Sequence, residues 1–104
     1  MVEWQGSETV RLSTRIRHRA IAGEGVMVHL GRGQVLVVNQ VGLHVVNALA
    51  KGPTTVTELA AAVAAAYGID AQRAHRDVIA FLDQLLAEEA IEVEPAGVDG
   101  LPRE

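Results

Sequence analysis

Three features of this sequence predict an α+β fold, a three-stranded antiparallel β-sheet followed by three α-helices. Two β-branched stretches, Val26–Leu30 and Gln34–Val38, are joined only by Gly31-Arg32-Gly33, a length and composition suited to a hairpin. Before them, Arg15, Arg17 and Arg19 alternate with Ile16, His18 and Ala20, the period of a half-buried strand. After them come three segments of helical periodicity, punctuated by Gly52-Pro53 and Gly68.

The elements follow in order. Residues 1–9 are polar and aperiodic and read as a flexible tail, residues 10–94 as the folded domain, and residues 95–104, polar and proline-containing, as a second flexible tail. The first strand is expected over Arg11–Ile21, closed by a turn at Ala22-Gly23-Glu24-Gly25. The second covers Val26–Leu30 and the third Gln34–Val38. The third is β-branched on both faces, so neither face should be fully wet. Asn39 is a favoured N-cap for a first helix over Gln40–Lys51, with Val41, Val45, Val46 and Leu49 as its apolar stripe and Ala48 beside them. Thr55 and Glu58 have capping-box spacing and start a second, alanine-rich helix over Val56–Tyr67, which Gly68 closes. Asp70 caps a third helix over Ala71–Glu89. There Ala74, Val78, Phe81, Leu82 and Leu85 should face the core. A second stripe, His75, Ile79 and Leu86, shares Leu82 with it. Either the first two helices cover both stripes, or one floors a groove next to the sheet edge. Ile91-Glu92-Val93 either pairs briefly or closes over the core.

Composition excludes several classes of function. A 104-residue chain, 49% hydrophobic and 3% aromatic, makes one small domain with an aliphatic core. It has no cysteine, hence no disulfide, thiolate metal site or cysteine nucleophile, which fits a cytoplasmic protein. No apolar run reaches membrane-spanning length, and no signal peptide is visible. Before residue 34, five arginines oppose three carboxylates; after it, four basic residues oppose ten carboxylates. Acidic helices repel nucleic acid, so neither nucleic acid nor membrane is an expected partner. His18, His29, His44 and His75 make no helical ligand pair, although His18 and His29 fall opposite each other in a simple first hairpin, a weak metal-site signal. Asp77 and Asp83 lie off one another's helix face, the serines lack a nucleophile elbow, and the glycine loops precede no helix. The expectation is a protein that is not an enzyme and needs no cofactor and no metal.

From about Glu24 to Glu92 the order of short motifs resembles the PqqD-like proteins, the precursor-peptide recognition elements of ribosomal peptide-modification pathways. The resemblance rests on the strand–strand hairpin, on Val38-Asn39 followed by Val41-Gly42, and on Lys51-Gly52, where the family often has Asp-Gly. It continues through Val56, Leu59 and Val63, Tyr67-Gly68-Ile69-Asp70, and Asp77-Val78-x-x-Phe81-Leu82-x-x-Leu85. It implies a winged-helix-like fold that binds the leader segment of a precursor peptide by strand addition and presents it to a modifying enzyme, such as a radical S-adenosylmethionine enzyme or a leader peptidase/cyclase. The leader would add to the third strand and lie against the third helix, which assigns peptide-binding roles to Gln34, Val35, Leu36, Val37, Val38, His75, Ile79, Leu82 and Leu86.

Where members serving pyrroloquinoline quinone synthesis carry Arg-Ser and Gly-Trp, this chain has Thr54-Thr55 and Glu89-Ala90-Ile91. That favours a stand-alone element for another product, such as a lasso peptide, over the quinone-pathway protein itself. A winged-helix DNA-binding regulator is the remaining alternative; it needs a basic recognition helix, whereas the third helix is acidic. The exposed edge is compatible with a monomer or an edge-strand dimer. The basic face of Arg15, Arg17 and Arg19 is either a wet strand face or a surface for an acidic leader or enzyme.

Overall fold

The computed structural model describes residues 4–94. The chain runs β1 (Thr9–Leu12), β2 (Ile16–Ile21), β3 (Glu24–His29), β4 (Gln34–Val38), α1 (Gln40–Ala50), β5 (Thr54–Thr55), α2 (Val56–Tyr67), α3 (Ala71–Ala87) and β6 (Ile91–Glu94). The expected α+β order is present, with two small antiparallel sheets in place of one. One is the meander β2-β3-β4; in the other, β1 is flanked by β5 and β6.

The single strand expected over Arg11–Ile21 is broken after Leu12. Ser13 makes the break: its Oγ accepts the Arg15 N–H at 3.1 Å and its carbonyl accepts the Ile16 N–H at 3.1 Å. A serine hydroxyl can turn the backbone without glycine or proline. β1 is thereby free to pair with β6, Val10 opposite Val93 and Leu12 opposite Ile91, while β2 pairs with β3. Ile91–Val93 thus pairs rather than merely covering the core.

The chain ahead of β1, expected to be loose, is held from Trp4 onward. The Glu8 side chain is buried and its carboxylate accepts the backbone N–H groups of Gln5 and Gly6. The Gly6 carbonyl accepts both the Thr57 N–H and the Thr57 hydroxyl at 2.9 Å. Trp4 Nε1 donates to Asp83 Oδ1 at 2.6 Å. Residues 1–3 of the tail expected over 1–9, and the whole of the tail expected over 95–104, lie outside the described residues.

Helix ends follow their capping chemistry. Asn39 Oδ1 accepts the Gly42 N–H at 2.9 Å, and Thr55 and Glu58 form a reciprocal capping box. Gly68 ends α2 in the left-handed conformation, φ 63°, which costs glycine little. Asp70 sits at the N-cap of α3 without a side-chain cap bond, so that expectation fails in its detail. α1 packs on one side of the β2-β3-β4 meander, and α2 packs along α3. Met27, Val45, Leu59, Val63, Val78, Leu82 and Leu85 are among the fully or almost fully buried side chains that fill the core.

Truncation of such a residue leaves a cavity as well as losing transfer energy. Leu82→Ala should lower the unfolding free energy by about 2–5 kcal/mol in urea titration. Thr55→Ala, which removes one cap, should cost about 1 kcal/mol. Two carboxylates also tie stability to pH. At Glu8, burial pushes the carboxyl up, but the surrounding backbone N–H donors, helped by His75, outweigh it and hold it below its ordinary value of 4.5. The Thr55 N–H and the Thr54 and Thr55 hydroxyls hold Glu58 below the same value. A depressed folded-state pKa contributes stability in full above the ordinary value and loses it as pH falls through the lower folded value. Urea midpoints should therefore drop as pH falls below 4.5, and the drop should be shallower in Glu8→Gln.

Candidate functional site

Among the described residues β4 pairs only with β3, so its second edge presents a row of unpaired backbone donors and acceptors. The strand carries no lysine or proline to blunt that edge. By the pleat, Gln34, Leu36 and Val38 point towards the helices, and Val38 is only 8% exposed. Val35 and Val37 point the other way and are 61% and 66% exposed. The expectation that neither face of this strand is fully wet meets an outer face that is mostly, though not fully, exposed. The helix that packs on this sheet, α1, lies on its inner face.

A groove follows the free edge, with α3 as its opposite wall. One part, about 360 Å³, lies between Leu36, Val37 and Val38 and the Phe81, Gln84, Ala87 and Glu88 side of α3. The next, about 440 Å³, lies between the Asn39–Gly42 turn into α1 and Arg73, Asp77, Ala80, Phe81 and Gln84. Phe81 and Gln84 line both. Phe81, expected in the core, is only half-buried because it forms this wall.

Gly42 permits that arrangement. A Cβ there would stand 2.9 Å from Val38 Cβ and 3.0 Å from Phe81 Cζ, so any side chain would displace the ring or the strand. Asn39 holds the turn by capping α1 at Gly42 itself. Carboxylates mark both ends of the α3 wall. Asp77 lies 3.7 Å from Arg73 and Glu88 lies 3.9 Å from Arg32, both in solvent-exposed pairs that stabilise the fold little. The groove thus offers one aromatic ring among polar side chains, beside an open backbone ladder.

The structure does not bring all of the sequence-predicted residues together. Gln34–Val38 forms the edge. Leu82 is fully buried and cannot line a groove. His75, Ile79 and Leu86 lie on the flank of α3 that faces away from β4. His75 Nε2 is 3.8 Å from where a Cβ on Gly6 would sit, and Asp83, on that same flank, is held by Trp4. Leu86 lines a separate cleft with His29, Gly31 and Arg32. A second apolar stripe on a helix reports a second contact without saying with what, and here the N-terminal segment meets that flank at His75 and Asp83 while Leu86 lies by the β3–β4 loop. The residues on the groove side of α3 are Asp77, Phe81, Gln84 and Glu88, spaced i, i+4, i+7, i+11 on one face, with Asp77 opposite the Asn39–Gly42 turn and the other three opposite β4. Their signal was the single phenylalanine of the chain, flanked by polar residues at helical spacing.

The histidines are dispersed. His18 opposes Met27 and His29 opposes Ile16, so the two are not cross-strand partners: the break after Leu12 shifts the register assumed for one long hairpin. Buried His29 donates from Nε2 to the Glu89 carbonyl at 3.0 Å, tying the end of α3 to β3. His44 packs edge-on against Tyr67, with centroids 5.9 Å apart. Among the described residues no three metal-ligating side chains come together, and no helix is long and apolar enough to cross a membrane.

With this geometry established, known proteins supply a frame. No curated relative matches the sequence. The solved structure of TbiB1 in complex with the TbiA(beta) leader peptide superposes with a TM-score of 0.72 at 28% identity, covering 79% of this chain and 94% of that one. The lasso peptide synthetase B1 complexed with the leader peptide superposes with a TM-score of 0.65, over 83% of this chain and 98% of that one, and at 21% identity shares the fold. Residues 24–91, from the start of β3 into β6, match the family described as Coenzyme PQQ synthesis protein D (PqqD). The chain belongs to the PqqD family.

Proposed function

We propose that this protein is a non-catalytic recognition element that binds the leader segment of a ribosomally made precursor peptide and presents the remainder to a modifying enzyme in the cytoplasm. The observation that carries the reading is the unpaired edge of β4 beside the Phe81 groove. A leader that adds to this edge as an extended strand satisfies its backbone groups on β4. Its alternate side chains then fall into the groove against Phe81 and Gln84. The likeness to TbiB1, solved with a leader peptide, supports this mode. No chemistry is required of the module, because holding the substrate raises its effective concentration at a partner enzyme. Of the edge and stripe assigned from sequence, this reading keeps Gln34, Val35, Leu36, Val37 and Val38. It replaces His75, Ile79, Leu82 and Leu86 by Asp77, Phe81, Gln84 and Glu88. A radical S-adenosylmethionine enzyme and a leader peptidase/cyclase are equal candidates for the acceptor.

Proline scanning tests strand addition. Successive residues of β4 point their N–H groups alternately at β3 and at the free edge. Of Leu36→Pro and Val37→Pro, one therefore removes a ladder donor and destabilises the sheet, and the other removes an edge donor and is tolerated. The tolerated variant should keep its thermal midpoint and lose about tenfold in affinity for synthetic N-terminal segments of the short reading frames encoded beside this gene. If it binds them as wild type does, strand addition is wrong. Phe81→Ala should weaken the same complex by about 1–2 kcal/mol by calorimetry. In labelled wild-type protein, amide shifts should concentrate at residues 34–38 and at Asp77, Phe81, Gln84 and Glu88, with His75 and Ile79 little affected.

A further inference from the structure

The outer face of the β2-β3-β4 sheet is a second surface, which meets the groove at Val37. The register aligns two rows across it, Arg19–Val26–Val37 and Arg17–Val28–Val35. Val35 and Val37 are more than half exposed, and among the described elements no helix packs on this side. Beyond the rows, Ile21 at the hairpin tip adds further exposed apolar surface, 53% exposed. A contiguous apolar face edged by charge marks an interaction site on a small soluble domain.

The charge specifies the partner. Arg17 and Arg19 line the β2 side of the valines, and among the described residues neither enters an ion pair. The Arg17 guanidinium is steadied by the Thr14 and Ile16 carbonyls, each at 3.1 Å. Glu24, at the tip, is the one carboxylate on this side of the three strands. The rest of the chain is acidic, so this basic rim is a local departure from the net charge of −4. A second copy would set arginine against arginine. The face carries no aromatic ring on which a nucleic-acid base could stack.

We infer that this face docks a protein partner bearing a short apolar ridge flanked by carboxylates, and that the partner is the enzyme receiving the bound peptide. The identity of the partner rests on the function proposed above; the surface itself rests on the sheet. The two sites are contiguous, because a strand added to β4 extends both rows by one position. A partner on the outer face therefore stands beside the peptide without competing for the groove.

The test separates the two sites. The purified enzymes encoded beside this gene are titrated by calorimetry into the full chain, alongside the synthetic leader segments. Arg17→Glu/Arg19→Glu, and separately Val28→Thr, which keeps the branched strand shape, should each weaken binding of one enzyme by about tenfold. Both should leave leader affinity within about twofold of wild type. Raising salt from about 50 to about 300 mM should weaken the wild-type enzyme complex more than the charge-reversed one. Enzyme binding unchanged in both variants overturns the inference. So does loss of a concentration-dependent dimer in Val28→Thr by sedimentation, or arginine-dependent capture on phosphatidylserine vesicles without enzyme binding. If wild type binds enzyme through this face but no leader, the docking surface stands and peptide capture fails; if leader binds and no enzyme does, the reverse holds.

Discussion

Burial of Ala74, Val78, Leu82 and Leu85 sets the rotation of α3 about its own axis, and everything at the β4 edge follows from that rotation. Successive helix residues are about 100° apart, so once these four face inward the remaining directions are assigned. One flank carries His75, Ile79, Asp83 and Leu86 and receives the N-terminal segment through Trp4. The opposite flank carries Asp77, Phe81, Gln84 and Glu88 and is left to face β4 and the turn into α1. The far end is pinned as well, since His29 holds the Glu89 carbonyl beyond the last turn. A helix held along its core face, on one flank and at its C-terminal end keeps the width of the groove on its remaining flank.

Most of the fold was legible because it is locally encoded. The Gly31–Gly33 loop, the Asn39 cap, the Thr55–Glu58 box and the Gly68 terminus are short-range signals, and each element beside them lies where they place it. What escaped was non-local or quiet. The turn at Ser13 uses a hydroxyl rather than glycine or proline, and the alternation of arginines continued through it. β6 exists only because β1 lies beside it, a pairing of residues roughly eighty apart in sequence.

The candidate site was half legible for the same reason. The β4 edge is visible as an apolar run without a blunting lysine or proline, and strand patterning is a property of the segment itself. Which α3 residues oppose it depends on how two stripes are shared among three neighbours. Phe81 was assigned to the core because aromatic rings at helical spacing usually go there. Its half-burial follows from Gly42, whose missing side chain lets the ring stand at the mouth of the groove.

That division of labour along α3 has an evolutionary consequence. Ala74, Val78, Leu82 and Leu85 carry the core, while Asp77 and Gln84 face solvent and groove and contribute little packing. The same holds on β4, where Val38 is buried and Val35 and Val37 are open. Substitutions at the open helix positions alter the groove, and those at the open strand positions alter the outer sheet face, both at almost no cost in stability. A duplicated copy of this gene can thus drift to a new ligand by neutral steps, with Gly42 and Val38 holding the scaffold constant throughout.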